Sequence, residues 1–208
     1  IGSLSGYFLD DVVKKLPEFS VIGSDYDDHS LHAIHRRIPT VPLLQFDMRH
    51  CPLQSESIDA AVLLNVLEHI DDDNRALGEV QRILRPDGVV HIEVPSHPSC
   101  FDVYDKQLMH FRRYRLAELS SQLRALGLHV VRATHLGFFP FPAFYAVKQF
   151  NRLFRSALPP ERELQVVAKQ MNSTRASSLF RIIMGLDVAV GSFVSYPCGI
   201  RCVLVARK

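Results

Sequence analysis

The sequence predicts an α/β fold built on a largely parallel sheet with helices on both faces. Three observations predict it. Strand-like and helix-like segments alternate through most of the chain. The clearest strand, Ile58–Leu64 (IDAAVLL), is apolar almost throughout, as a strand buried on both faces is. Polar residues (Asp25, Asp47 and Asn65) recur at the ends of successive apolar runs, where open α/β sheets place their ligands. With 208 residues, 47% of them hydrophobic, the chain suits one domain with a sizeable core and is short for two, so 1–208 reads as a single domain.

The elements follow in order. Gly2 and Gly6 frame a loop leading into a helix over Tyr7–Leu16, an arrangement that wraps a ligand between strand and helix. Phe19–Ser24 is a short apolar run ending at Asp25. Asp28–Arg37 has helical composition and stops before Pro39. Leu43–Phe46 is the next strand and ends at Asp47. After Ile58–Leu64, the stretch Asp72–Leu84 is a helix with acidic residues in its first turn and Arg82 and Arg85 near its end, complementing its dipole. Pro86-Asp87-Gly88 reads as a turn before the strand Val89–Val94. Leu116–Leu126 is a helix stopped by Gly127, followed by the strand Leu128–Ala133. From Gly137 aromatics and prolines cluster, and helical stretches follow around Arg162–Gln170 and Ser177–Val190. Ile200–Ala206 is the last strand.

Net charge is only +2, which gives no reason to expect a nucleic-acid partner. The charge is unevenly placed: residues 1–110 carry 9 Lys/Arg against 18 Asp/Glu, and residues 111–208 carry 15 against 4. Such a split suggests two functional surfaces. The four cysteines have no C-x-x-C spacing, so reduced thiols and a cytoplasmic protein are expected. The longest apolar stretch, Ile182–Val194, is short and holds Asp187, which argues against a membrane span.

Taken together these motifs resemble the class I S-adenosylmethionine (SAM)-dependent methyltransferases, of the type 11/12 kind. Gly2-Ser3-Leu4-Ser5-Gly6 resembles their glycine-rich first motif, with Leu4 where the second glycine stands. "NVLEHI", "RILRPDGVVHIEVPS", "HFRRYRLAELSSQLRALGLHVV" and "YPCGIRCVLVARK" resemble the stretches around their later strands. The resemblance implies a Rossmann-like sheet of order 3-2-1-4-5-7-6. The first strand is missing from this chain, which reads as truncated at its N-terminal end, and a helical insertion over 136–195 forms a lid or acceptor region. It implies SAM as cofactor, held by Gly2, Ser3, Gly6, Asp25 on the ribose, Tyr26, Asp47 on the adenine, Met48, Asn65 and Val66.

For an oxygen acceptor the protein must also remove a proton, work that suits histidine. His110, in "YDKQLMHFRRY", is the first choice as base or acceptor contact, and His69 the second. Arg113 and Tyr114 are the expected substrate contacts. Asn65-x-x-Glu68-His69 offers only two good ligands where metal-binding relatives carry a further Glu, so no metal is expected. From Phe138 to Phe154 aromatics are dense. Ala143, Val147, Phe150 and Phe154 fall on one helical face, with Lys148, Arg152 and Arg155 on another. That pattern reads most simply as a core-facing helix with a basic exposed face. It also suits a lid over a small-molecule or lipid-linked acceptor, with contact at a membrane surface. Two other functions fit less of the sequence. One is a non-catalytic methyltransferase-like interaction module, which Leu4 favours. The other is an NAD-dependent oxidoreductase, which Asp25 would serve but which lacks its G-x-G-x-x-G loop.

Overall fold

A computed structural model describes residues 1–3, 6–154 and 178–208. Leu4, Ser5, the expected helix Arg162–Gln170 and the Arg155 position of the amphipathic pattern lie outside the described residues, as does the side chain of Phe154.

Helix α1 (Tyr7–Lys15) leads to the short strand β1 (Gly23–Asp25), helix α2 (Asp28–Arg37) and strand β2 (Leu43–Gln45). Strand β3 (Ile58–Leu64), helix α3 (Asp73–Ile83) and strand β4 (Leu84–Pro95) form the central crossover. After them come α4 (Val103–Gln107), α5 (Leu116–Ala125), β5 (His129–Leu136), α6 (Phe141–Phe154), α7 (Ser178–Gly191) and β6 (Arg201–Arg207). β1 pairs with β2 in parallel, and β3 with β4 in parallel; β6 runs antiparallel between β4 and β5.

The strand order is thus β2-β1 beside β3-β4-β6-β5, the expected order with a break between β1 and β3. Residues 1–3 lie in that break. Ser3 N–H donates to the Ser24 carbonyl at 3.0 Å on one side, and the Ile1 amine donates to the Val62 carbonyl at 2.9 Å on the other.

Local chemistry explains most boundaries. α2 begins where the Asp27 carboxylate accepts from the Ser30 N–H at 2.9 Å, and α3 where Asp72 accepts from the Arg75 N–H at 3.1 Å. α3 turns Ala76, Leu77, Val80 and Ile83 onto the sheet, and α5 turns Leu119 and Leu123. All of these but Ile83 pack with Leu63, Val90, Ile92 and Leu204 into the main core. Each such leucine or isoleucine contributes roughly 1.5–3 kcal/mol of burial.

Two expectations change. Phe19 and Ile22 are exposed, so the first apolar run yields a strand only over Gly23–Asp25. Pro86-Asp87-Gly88 is an irregularity inside β4: the partner of Ile58 is Leu84, but that of Ala60 is Val89. The extra residues bulge out, with Asp87 at φ +65°.

Candidate active site

The strand ends and the segments that follow them enclose one large cavity of about 1430 Å³. Pockets for a single small ligand run to roughly 300–1,000 Å³, so this one has room for a cofactor and an acceptor together. Its lining includes Gly2, Asp25, Tyr26, Asp47, Met48, Asn65, Val66, His69, His110 and Arg113 among the residues expected from sequence. Ser3, Gly6 and Tyr114 are not on its wall.

Each of the three has another task. Ser3 Oγ accepts from the Ser24 N–H at 3.2 Å, tying the first loop to β1. Gly6 starts α1 at φ +70° and abuts Ile34. Tyr114 is buried, and its hydroxyl donates to Asp73 at 2.9 Å. Facing the core rather than the cavity, Tyr114 is corrected here from a substrate contact to a structural residue.

At one end of the cavity Gly2 takes φ +67°, and a Cβ added there would lie 2.3 Å from Val66 Cγ2. Only glycine lets this loop approach the turn after β3 so closely. Asn65 leaves β3 at φ +53°, a conformation asparagine tolerates better than most residues. Asp25 ends β1 and accepts from the Asp27 N–H at 3.1 Å. The Asp47 carboxylate is engaged by Arg49, through its backbone N–H at 2.9 Å and its guanidinium at 2.7 Å. The side-chain hydrogen bonds from Arg49 hold it below the usual carboxylate range despite some desolvation.

At the other end His110 Nδ1 lies 3.0 Å from Asp105 Oδ1. Burial alone would raise the Asp105 carboxyl. Hydrogen bonds from His110 and Arg113, with the charges of Arg113 and Lys148, hold it well below the carboxylate range instead. An ionised Asp105 can only accept, so His110 Nδ1 carries a proton, and in the neutral ring Nε2 is then the acceptor. Asp105 also accepts from Arg113 Nε at 2.8 Å and Lys148 Nζ at 3.2 Å. Lys148 reaches Asp102 at 2.6 Å, and Asn151 Nδ2 donates to Asp102 at 3.0 Å.

Lys148 is therefore 5% exposed, a correction to the expected basic outer face of α6. Val147 and Phe150 are instead half-exposed. The chain places its charge inward because Asp102 and Asp105 wait there, a long-range pairing that helical periodicity cannot signal. The start of α6 is anchored separately, at Asp187, whose buried carboxylate accepts from the Gly137 N–H at 2.7 Å and the Phe139 N–H at 3.0 Å.

The His69 ring meets His110 edge-on, with centroids 4.7 Å apart. Burial, and then the neighbouring His110, lower its proton affinity. Beside both lies Glu68, fully buried, with neither oxygen hydrogen-bonded among the described residues. Burial pushes its carboxyl up to about 7. In sequence Glu68 counts as part of the Val66-Leu67-Glu68-His69 resemblance and as half of a metal pair, not as a lone buried acid. Sequence reasoning missed Asp105, Lys148 and Asn151, for which Asp102-x-x-Asp105, the capping box of α4, was the only local signal.

Comparison with known proteins gives the fold and its relatives. Residues 1–92 match the model of a family described as "Methyltransferase domain". In sequence over residues 1–92, and in fold, this chain is similar to the SAM-dependent methyltransferases. The "Probable S-adenosylmethionine-dependent methyltransferase" of Mycolicibacterium smegmatis is 32% identical over 112 residues, 53% of this chain and 44% of that relative. The "Demethylmenaquinone methyltransferase" of Lactobacillus johnsonii is 30% identical over 89 residues, 40% of this chain and 36% of that relative. The chain thus spans less than half the length of these relatives.

Among solved structures, a SAM-dependent methyltransferase from Archaeoglobus fulgidus superposes with a TM-score of 0.60 at 15% identity, covering 100% of this chain and 83% of that one. The [4+2]-cyclase SpnF superposes with 0.62 at 17% identity, covering 100% and 72%. These likenesses establish the fold. SAM is the cofactor that the family and its relatives indicate, and the glycine cradle of Gly2 against Val66 fits a cofactor seated against backbone.

Proposed function

We propose that this chain transfers the methyl group of SAM to an oxygen of a small-molecule or lipid-linked acceptor, with His110 taking the acceptor's proton. The observation that carries the reading is His110 on the cavity wall, with the buried Asp105 carboxylate 3.0 Å from its Nδ1. When bound, SAM supplies an electrophilic methyl group. The remaining work falls to the protein. Asp25, Asn65 and the backbone around Gly2 and Val66 hold the cofactor at one end. His110, kept in one tautomer by Asp105, accepts a proton through Nε2 at the other. Arg113 is a positioning residue, fixed by Asp105 and by the Ser96 carbonyl at 3.2 Å.

The acceptor half of the wall supports an apolar acceptor body, since Leu108, Met109, Phe111, Phe144, Val147 and Phe180 line it. Beyond it, the exposed faces of α6 and α7 carry Leu153 at 70% and Ile182 at 61%, with Phe193 at 90% just after. No helix among the described residues is long and apolar enough to cross a membrane, so contact with lipid would be peripheral.

The test is a screen of phenolic and isoprenoid alcohols for S-adenosylhomocysteine formation. Turnover of at least one hydroxylated acceptor is expected. His110→Ala is expected to lower it roughly 10²- to 10⁴-fold, the usual contribution of a general base, with SAM affinity unchanged. Unchanged turnover in that variant removes the assigned role.

A further inference from the structure

Glu68 stands apart from the other buried carboxylates. Asp73 accepts from Tyr114 and pairs with Arg112 at 3.1 Å. Asp102 and Asp105 share Lys148, and Asp187 holds two backbone N–H groups. Glu68 is as deeply buried as any of them, yet both its oxygens lack a hydrogen-bond partner among the described residues. A polar group left so costs roughly 1–3 kcal/mol. It sits just behind the cavity wall, between the cofactor residues Asn65 and Val66 and the acceptor residues His69 and His110.

Apart from His69, the charged and titratable groups facing it are already committed. His69 shares its turn, and His110, Arg113 and Tyr114 come from the segment after α4; Arg201 comes from β6. His110 and Arg113 bind Asp105, Tyr114 binds Asp73, and Arg201 binds Glu93 at 3.2 Å. Just behind the cavity wall, therefore, lies a carboxyl with no cation paired to it among the described residues.

We infer that Glu68 is the anionic half of a cation subsite whose occupant is the sulfonium of SAM. This rests on the cofactor reading of the pocket. SAM and S-adenosylhomocysteine share their adenosine and amino-acid parts and differ in the charge on sulfur. When SAM binds, Glu68 gives its proton to solvent and remains as carboxylate beside the positive sulfur. With S-adenosylhomocysteine, which is neutral at sulfur, Glu68 keeps its proton. The site thus holds the methyl donor and loosens on the spent product.

Glu68, His69 and His110 also bring potential ligand atoms within 4.8 Å of one another, close enough to share a divalent ion. Calorimetry on the full chain separates the two occupants. SAM and S-adenosylhomocysteine are titrated in EDTA in MES and phosphate at pH 6 and in phosphate and Tris at pH 8, buffer pairs whose different ionisation enthalpies report proton release.

For a carboxyl titrating near 7 and ionised in the complex, one-proton linkage predicts that SAM releases nearly one proton at pH 6. By the same linkage it binds about tenfold more tightly at pH 8. S-adenosylhomocysteine should lack this excess release and this pH dependence. In Glu68→Gln the two compounds should give the same pH dependence; the wild-type comparison stands without that variant. Equal proton release by both compounds in the wild type overturns the inference, as does a difference that survives Glu68→Gln. A difference that appears only when Mg²⁺, Mn²⁺ or Zn²⁺ replaces EDTA gives the site to a metal instead. Absence of binding by both compounds would overturn the cofactor reading itself, and this inference with it.

Discussion

Replacing Glu68 by Gln is expected to change how stability depends on pH. In the folded chain burial raises the Glu68 carboxyl from 4.5 to about 7. Unfolded, it titrates near its ordinary value. Below that value both states hold the proton, and the raised affinity has no effect. As pH rises through 4.5 the unfolded chain ionises first and is favoured. The destabilisation grows until the folded carboxyl also ionises near 7, then stays constant. A tenfold difference in proton affinity between the two states is worth about 1.4 kcal/mol, so linkage gives a loss of ~2.5 kcal/mol between pH 5 and pH 8. Gln fills the same space and does not titrate. Urea unfolding of both proteins at pH 5, 6, 7 and 8 reads the effect directly. The wild type should lose ~2.5 kcal/mol relative to Glu68→Gln across that range. Parallel stability profiles would refute the reasoning, because they would mean that Glu68 is hydrated or paired in the folded chain.

Three further outcomes follow from the same geometry. Lys148→Ala leaves Asp102 and Asp105 without their shared cation, and breaking a buried pair costs about 3–5 kcal/mol, seen as a lower urea midpoint. Tyr114→Phe should cost about 1–3 kcal/mol in the same assay, through the stranded Asp73 oxygen, while leaving SAM affinity unchanged. Gly2→Ala forces a Cβ onto Val66 at a positive φ; strain of roughly 1–3 kcal/mol should weaken SAM binding by roughly 5- to 150-fold in calorimetry.

The sequence was legible where short-range chemistry decides. Ile58–Leu64 is a strand over the predicted residues because its apolar run has no competing helical period. Asp28–Arg37 and Asp73–Ile83 start at capping aspartates visible in the sequence. The polar strand ends Asp25, Asp47 and Asn65 converge on one cavity because a parallel sheet puts its carboxyl ends on one side. What the sequence concealed depends on distant partners. Lys148 and Asp105 are 43 residues apart, and nothing local tells a lysine on an amphipathic helix that two aspartates will meet it inside. Tyr114 sits between two arginines in a stretch that reads as a binding loop, yet its hydroxyl bonds Asp73, 41 residues earlier. The failure of the first apolar run to extend before Gly23 likewise reflects exposure of Phe19 and Ile22, which composition does not reveal.

The central claim is that the cavity bounded by Gly2, Asp25, Asn65 and Val66 is a SAM site. Calorimetric titration of the full chain with SAM, beside NAD as a control and with Asp25→Ala in parallel, tests it most directly. The account predicts one SAM bound per chain, no binding of NAD, and markedly weaker SAM binding in Asp25→Ala. Wild-type protein that takes up no SAM, or an Asp25→Ala variant that binds it as tightly as the parent, would contradict it.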